Sequence, residues 1–294
     1  MDKRFQLQFS NTVDQELLRD AIAHWGISKR ALTAIKFDGG ALLVNGEERN
    51  VRHRLAEGDV VTIIFPIEEA SEGLIPVQGE LAVVYEDEAV LLVDKPAFMS
   101  SIPSREHPNN SLANLIYGYF EQQQLASTVH IVTRLDRDTS GLMLIAKHRH
   151  IHHLMSEQQK KGQIHREYEA VAEGIIEQAQ QSIVAPIGRK DTSIIEREVR
   201  PNGQFAHTDV TVLTRKNNMT HIRLKLHTGR THQIRVHMAY IGHPLVGDEL
   251  YGGNHALINR QALHCRYIEF EHPLTKERVH FDSKLPEEIS TLIN

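Results

Sequence analysis

The residues best suited to chemistry lie in the segment 131–147, which reads IVTRLDRDTSGLMLIAK. One carboxylate, Asp136, stands between Arg134 and Arg137, and a Thr-Ser-Gly turn then leads into an apolar run. Neighbouring arginines favour the ionised form of a carboxylic acid. An ionised aspartate on a turn beside a rigid strand can act as a nucleophile or as a general base. Asp136 is therefore the first candidate for a catalytic residue.

The pattern RLD-x-x-TSG at residues 134–141 resembles the active-site motif of the RluA-type RNA pseudouridine synthases, in which the aspartate is the essential residue. Further segments resemble, in the family's order, its opening hairpin, tyrosine motif, second signature, following loop, and next strand and turn: 83–97, 166–168, 226–238, 242–253 and 261–273. These matches cover most of residues 81–285. The resemblance implies an enzyme that isomerises specific uridines in ribosomal or transfer RNA.

Pseudouridine forms when the N-glycosidic bond of a uridine breaks, the base turns, and the base rejoins the ribose through C5. The resemblance implies that Asp136 acts near the sugar, either as a nucleophile at C1′ or as the base in an elimination. Arg235 would pair with Asp136 and keep it ionised, and Tyr168 would assist removal of the C5 proton. Arg134 would fill the space that the flipped nucleotide leaves. We expect no cofactor and no metal ion, because the base itself leaves and returns.

Simpler roles for these residues stay open from the sequence alone. Asp136 could form a surface ion pair with Arg137, an arrangement of little energetic weight. Tyr168 could be an aromatic residue of the core. Arg134 could make a nonspecific contact with a phosphate. Arg235 could contact a phosphate or be an ordinary arginine on a face of the sheet.

The net charge of −5 argues mildly against nucleic acid as a partner. The charge is unevenly distributed, however. Residues 130–166 contain seven Lys and Arg against three acids, and residues 221–247 contain four Lys and Arg and no acid. Such a basic face suits an enzyme that binds RNA. Besides Arg134, the residues predicted to contact RNA are Arg137, Arg230 and His232 near the motifs, and Lys29, Arg30 and Lys36 in the N-terminal part.

The chain departs from the family's pattern at Thr133, where the family usually has histidine before the arginine of RLD. Because that histidine is not the catalytic group, the chemistry should survive. The replacement bears on the geometry of RNA insertion, and therefore on target specificity.

Two patterns could suggest a metal site. Four histidines at helical spacing, residues 148, 150, 152 and 153, could hold zinc, and the pair Asp136 and Asp138 could bind Mg²⁺. We interpret the histidine run as a solvated, RNA-facing helix, and the flanking arginines weaken the Mg²⁺ interpretation.

Two other classes of protein are rivals. One is a non-catalytic RNA-binding or ribosome-assembly factor with the same fold, which would not need Asp136, Tyr168 and Arg235 together. The other is a carboxylate glycosidase, which would need a second carboxylate as the acid.

The distribution of helical and strand patterns predicts an α+β protein with two parts. Residues 1–66 resemble a small S4-like RNA-binding domain, with helical spacing at 17–25 and 29–36 and short strands near 41–46 and 60–65. The alternative is a generic α/β cap that contacts no RNA. A polar linker, 67–80, precedes a catalytic domain at 81–294. Many short Val-, Ile- and Leu-rich runs there predict a large, mostly antiparallel sheet with a central cleft, and helices are expected at 111–123 and 148–161.

Composition suggests where the protein acts. One cysteine, Cys265, fits a reducing compartment. The sequence has neither a signal-peptide pattern nor a run of about eighteen apolar residues. We expect a cytoplasmic protein whose partner is RNA, with no membrane association and no obligate protein partner.

Overall fold

The computed structural model describes residues 4–69, 73–104 and 108–294. Its N-terminal part forms a four-stranded antiparallel sheet in the order β1-β6-β3-β4, a second small pair, β2 with β5, and two helices. The bounds are β1 Gln6–Ser10, β2 Glu16–Leu17, α1 Leu18–His24, α2 Lys29–Phe37, β3 Ala41–Val44, β4 Glu47–Glu48, β5 Arg54–Leu55 and β6 Val60–Ile64.

Local signals in this part act as predicted. The side chain of Ser28 caps α2 by accepting a hydrogen bond from the Ala31 amide at 3.2 Å, which satisfies one of the free amides of the first turn. The helices bury Leu18, Ile22 and Ile35 against strand residues such as Ile63. β1 was not predicted, and it pairs with β6 along five residues. The S4-like character of this part stays a prediction.

The remaining chain is built around a ten-stranded mixed sheet in the order β12-β15-β16-β11-β17-β10-β8-β7, with β18 on β17 and β9 on β10. The strand bounds are β7 Val83–Glu86, β8 Val90–Lys95, β9 His130–Ile131, β10 Ser140–Ala146, β11 His165–Glu173, β12 Gln180–Val184, β15 His207–Lys216, β16 Met219–Leu226, β17 Leu263–Glu271 and β18 Arg278–Asp282. A separate pair is formed by β13 Ile187–Arg189 and β14 Arg197–Val199. The helices are α3 Leu112–Gln122, α4 Arg149–Lys160, α5 Gln233–Tyr240 and α6 Glu287–Ile293.

The sheet is antiparallel except at one junction, where β10 and β17 run parallel for two residue pairs. Gly141 lies at this junction with φ +114°, and a Cβ there would lie 2.3 Å from the carbonyl oxygen of Cys265. Only glycine permits this approach. The glycine of the motif therefore joins the two halves of the sheet directly behind the loop that carries Asp136.

The large, mostly antiparallel sheet predicted here is confirmed, and the helices predicted at 111–123 and 148–161 are confirmed to within the capping residues. Ser111 caps α3 and His148 caps α4, so each helix proper begins one residue later. The short helix α5 in the second signature was not predicted. Eight residues give too little periodicity to distinguish a helix from a loop.

Helix α4 is not the solvated helix expected from its histidines. His148 and His150 are only 4% exposed. Both rings contact the N-terminal part: His148 stacks on Phe5 at 4.6 Å, and His150 stacks on Phe65 at 5.2 Å. The RNA-facing interpretation is therefore wrong for these two residues, because aromatic contacts between the two parts of the chain cover them.

The predicted linker lies between two separate hydrophobic clusters, one drawn from residues 7–65 and one from residues 89–270. Residues 70–72 of this linker lie outside the described residues. The Glu68 side chain lies 2.5 Å from Nε2 of His130 and accepts a hydrogen bond from the Arg149 amide at 2.8 Å. The domain limits themselves stay a prediction. Within the described ranges, no helix is both long and apolar enough to cross a membrane.

Candidate active site

Asp136 lies in the loop between β9 and β10, and buried hydrogen bonds fix this loop. Ser101 Oγ donates to the Leu135 carbonyl at 2.6 Å, and Thr133 Oγ1 accepts from the Leu144 amide at 2.9 Å. Thr133 is 1% exposed. It can therefore affect RNA insertion only through the shape of the loop.

Lys95 also stabilises this loop. Its ammonium is fully buried and donates to the carbonyls of Pro96, Met99 and Arg137 at 2.7, 2.8 and 3.0 Å. Burial lowers the pKa of Lys95 to about 7, and the nearby Asp138 and Asp136 oppose this shift. Three carbonyl acceptors match the three hydrogens of an ammonium, so the hydrogen bonding favours the charged form.

The Asp136 carboxylate is 28% exposed and faces Arg235. Nη1 of Arg235 lies 3.4 Å from Oδ2 of Asp136, and α5 supplies this arginine. The Nε2 atom of His232 is 4.0 Å from the same oxygen. His232 has a left-handed backbone, with φ 57°, immediately before α5. Such a conformation is uncommon for a residue with a side chain and is found disproportionately at functional sites.

Arg235 is held in place mainly by Asp248. The Nε and Nη2 atoms of Arg235 donate to the two oxygens of Asp248 at 2.7 and 2.8 Å, and Asp248 is 1% exposed. Burial opposes the positive charge, but the hydrogen bonds and charge of Asp248 raise the pKa of Arg235 above its usual value. Breaking such a buried pair typically costs about 3–5 kcal/mol. This bidentate pair leaves Nη1 free to point at Asp136.

Tyr168 lies on β11 at an irregularity in its pairing with β17. The register shifts between Glu167 and Tyr168, and a β-bulge of this kind redirects the side chain that follows. The ring is 4% exposed, and its hydroxyl accepts a hydrogen bond from Nη1 of Arg166 at 3.2 Å. Burial raises the pKa of Tyr168 and the Arg166 charge opposes this rise. The phenol is therefore neutral near neutral pH.

These side chains line two connected spaces. The smaller one, called the inner cavity below because it reaches the buried Tyr168, has a volume of about 70 Å³ and touches Asp136, Tyr168 and Arg166, together with the apolar residues Leu226 and Leu263. An outer cleft of about 970 Å³ shares Asp136 and Arg166 with it. The cleft is lined by most of the other predicted site residues, namely Arg134, Arg137, Arg230, His232 and Arg235.

The arginines predicted to contact RNA differ in their exposure and in their hydrogen-bond partners. Arg134 and Arg137 are exposed. Arg137 donates to the two oxygens of Asp138 at 2.7 and 3.1 Å, which removes the main support for the alternative of an ion pair between Asp136 and Arg137. Arg230 is half-buried and donates to the Phe205 carbonyl at 2.9 Å.

The three basic residues predicted in the N-terminal part, Lys29, Arg30 and Lys36, lie on α2, where each is exposed. The structure does not bring them to the cleft. Arg30 instead lines a separate cavity of about 770 Å³ between α2 and α4, together with His150 and Arg149.

Three side chains of the site, described next, had no role predicted from the sequence. Asp248 follows Gly247 in the segment 242–253. The sequence predicted a loop for this segment and no role for the aspartate. Arg166 belongs to the tyrosine motif but received no role. Tyr251 was also missed; its hydroxyl lies 2.7 Å from Nδ1 of His232, and Arg235 stacks over its ring at 4.9 Å.

The fold and the site define an enzyme in which a partly exposed carboxylate, Asp136, faces a buried arginine, Arg235, in an arginine-lined cleft. Comparison with known proteins identifies the family. The family model described as RNA pseudouridylate synthase matches residues 89–240. The chain is 52% identical over 268 residues to the uncharacterized RNA pseudouridine synthase YjbO of Bacillus subtilis, covering 91% of this chain and 95% of that protein.

Two further relatives agree. The ribosomal large subunit pseudouridine synthase D of Pseudomonas aeruginosa is 37% identical, with 87% of this chain and 83% of that protein covered. The structure of human RNA pseudouridylate synthase domain containing 1 superposes with a TM-score of 0.59 at 26% identity, over 70% of this chain and 83% of that chain. The chain belongs to the RluA-type family and is an RNA pseudouridine synthase.

Proposed function

We propose that this enzyme isomerises specific uridines of large-subunit ribosomal RNA in the cytoplasm, with Asp136 as the essential catalytic residue. The observation that carries the proposal is the Asp136 carboxylate, open to the cleft and opposed by Arg235, which the buried Asp248 orients. The choice of RNA is supported by the relatives named as ribosomal large subunit synthases.

The reaction needs the target nucleotide to leave its stack, because the C1′ and C5 atoms are otherwise inaccessible. In the proposed complex, the base enters the inner cavity beside Tyr168, and the ribose lies next to Asp136. Arg134, an exposed residue that lines the cleft, occupies the place that the nucleotide leaves. Arg137, Arg230 and His232 contact the surrounding phosphates.

The chain supplies the groups for each step without a cofactor. Asp136 either attacks C1′ as the N1–C1′ bond breaks or removes a proton from the ribose. After the base turns, C5 bonds to C1′; this step breaks the Asp136–C1′ bond in the first route, and in the second it is accompanied by return of the proton from Asp136 to the ribose. C5 then loses its proton, while N1 gains one. Tyr168 takes part in the removal of the C5 proton, and Arg166 stabilises negative charge that develops on its hydroxyl.

The test is to map pseudouridines in total RNA from a deletion strain and from its parent. We expect one or more pseudouridines of the large-subunit RNA to disappear in the deletion strain and to return when the wild-type gene is supplied, but not when the Asp136→Asn variant is supplied. Unchanged ribosomal RNA with loss of a transfer RNA site would overturn the choice of substrate. An unchanged map in both RNA classes would contradict the proposed reaction.

We further propose that α2 binds RNA, as expected for an S4-like domain. The variant Lys29→Ala/Arg30→Ala/Lys36→Ala should weaken RNA binding roughly uniformly across sequences. It should also reduce the slope of log affinity against log salt by about 2–3, since each lost phosphate contact lowers the slope by about 1. Filter binding at several salt concentrations measures both.

A matched control is Lys216→Ala/Arg278→Ala/Lys284→Ala, which removes the same charge from residues that are neither on α2 nor lining the cleft. Its slope should stay near that of the wild type. Equal slopes for the α2 variant and the wild type would show that α2 makes no phosphate contacts.

A further inference from the structure

Three potential metal ligands, His207, Asp209 and His227, gather near the outer edge of the large sheet. His207 and Asp209 are two residues apart on β15, so their side chains lie on the same face. His227 directly follows β16, and its amide donates to the His207 carbonyl at 3.2 Å. On the other side, Ser182 of β12 is the register partner of Asp209. The strand pairing therefore brings the three ligands together.

The geometry of this cluster fits a small ion. Nε2 of His207 lies 3.1 Å from Oδ1 of Asp209, and Nε2 of His227 lies 2.6 Å from Oδ2. The three ligand atoms are all within 4.8 Å of one another. In a tetrahedral zinc site with bonds near 2.0–2.1 Å, two ligand atoms are roughly 3.3 Å apart. Rotation of the two imidazole rings about their Cβ–Cγ bonds, until their planes converge, would place all three ligand atoms around one ion.

Asp209 already lies next to both imidazoles. The two rings stack with centroids 4.1 Å apart and planes inclined by 14°, and the Nε2 atom of each lies near one oxygen of the same carboxylate. Ser182 Oγ donates to Asp209 at 2.5 Å, the kind of outer-shell hydrogen bond that orients metal ligands. Desolvation opposes ionisation of Asp209, but the hydrogen bonds from Ser182 and His227 lower its pKa to about 2. The carboxylate is therefore held with one oxygen next to each of the two Nε2 atoms.

We propose that His207, Asp209 and His227 form a binding site for a transition-metal ion of the Zn²⁺ type. On binding, the ion would replace the Nε2 proton that each imidazole shares with Asp209; each ring would then coordinate through Nε2 and carry its proton on Nδ1. The three side chains are 26%, 36% and 38% exposed, so water can complete the coordination shell from the solvent. The proposal departs from the expectation that the chain binds no metal, and the ion has no part in the isomerisation.

The position of the site gives the ion a structural role. Thr228, next to His227, accepts a hydrogen bond from the His207 amide at 3.0 Å and donates to Gln233 at 2.7 Å. Gln233 also accepts from the Arg230 amide at 2.9 Å. A bound ion would therefore cross-link β15 to the turn that carries Arg230 into the cleft.

The test is calorimetric titration of the metal-stripped full chain with Zn²⁺, together with the visible absorption of the Co²⁺ form. We expect one ion per chain and a Zn²⁺-dependent rise in Tm. His227→Ala and Asp209→Asn should each weaken binding by more than about 100-fold, since losing even an outer-shell partner typically costs 10–100-fold. Ser182→Ala should fall within that smaller range.

His255→Ala is the matched control, because His255 is an exposed histidine outside the cluster; it should bind Zn²⁺ like the wild type. Circular dichroism of each variant before titration shows whether it is folded, and the exposed His227→Ala should fold normally. If the wild type binds no stoichiometric ion, the cluster is only a hydrogen-bonded network. If His227→Ala and Asp209→Asn still bind Zn²⁺ tightly, the ion lies elsewhere, for example at the histidines of α4. Either result overturns the proposal.

Discussion

Asp136→Asn is expected to abolish pseudouridine formation while leaving the fold and the affinity for RNA nearly unchanged. Asparagine keeps the volume of the side chain but removes the charge that faces Arg235 at 3.4 Å. Turnover should fall below about one hundredth of the wild-type value, since loss of a group that takes part in covalent catalysis normally costs far more. Single-turnover assays on an RNA fragment that contains the mapped uridine measure the effect.

The structure predicts that this variant stays folded. Asp136 is partly exposed, and Arg235 keeps its two bonds to Asp248. Unfolding free energy should change by no more than about 1 kcal/mol, as is usual for an accessible ion pair. The matched control is Asp138→Asn, which removes the neighbouring carboxylate that binds Arg137. It should retain most of the activity, and equal losses in both variants would point to damage to the loop. An Asp136→Asn enzyme with more than about a hundredth of normal turnover would remove Asp136 from the catalytic role.

Tyr168→Phe should separate cleavage of the glycosidic bond from the later loss of the C5 proton. Cleavage depends on Asp136 and on the shape of the inner cavity, and a phenyl ring at 168 preserves both. Proton removal needs the hydroxyl that binds Arg166 at 3.2 Å. Because burial keeps this phenol neutral, it can relay a proton only by passing its own on, with Arg166 stabilising the charge. The rate should fall by about 10²–10⁴, the range for loss of a general acid or base.

The measurement is single-turnover kinetics with uridine deuterated at C5. The variant should bind RNA normally, accumulate a C5-linked intermediate that still carries its proton, and show an isotope effect that is small or absent in the wild type. The matched control is Tyr119→Phe on α3. It removes a hydroxyl that donates a hydrogen bond to Glu86 at 2.6 Å. Normal turnover of Tyr168→Phe without an isotope effect would make Tyr168 a packing residue and assign proton removal to another base.

Local features of the sequence were sufficient to predict most of the secondary structure and the identity of the central motif. Ser28 caps α2 and Ser111 caps α3 because a serine side chain can satisfy the free amides of the first helical turn wherever it precedes one. The runs 89–95 and 141–147 form β8 and β10 because short, continuous apolar segments suit strands buried on both faces. The motif at 134–141 likewise predicts Asp136 as the catalytic residue without reference to any contact in the fold.

Only the tertiary structure decided which groups meet. Asp136 and Arg235 are 99 residues apart, and their contact depends on where β10 and α5 are placed by the sheet. The bidentate partner of Arg235 is Asp248, and the partner of Arg137 is Asp138 rather than Asp136. A sequence shows which residues are charged. Which of them form a salt bridge depends on the distance between the charges, and this distance is set by the tertiary fold.

The same reason explains the error at α4. Periodicity shows that a helix has a polar face, but it does not show what covers that face. The rings of His148 and His150 are buried because Phe5 and Phe65 pack on them from the N-terminal part of the chain. The amino-acid sequence by itself therefore determined most of the elements and the motif, but not β1 or the short helix α5. Packing between distant segments decided the surroundings of each functional side chain, because burial and ion pairing depend on neighbours in space.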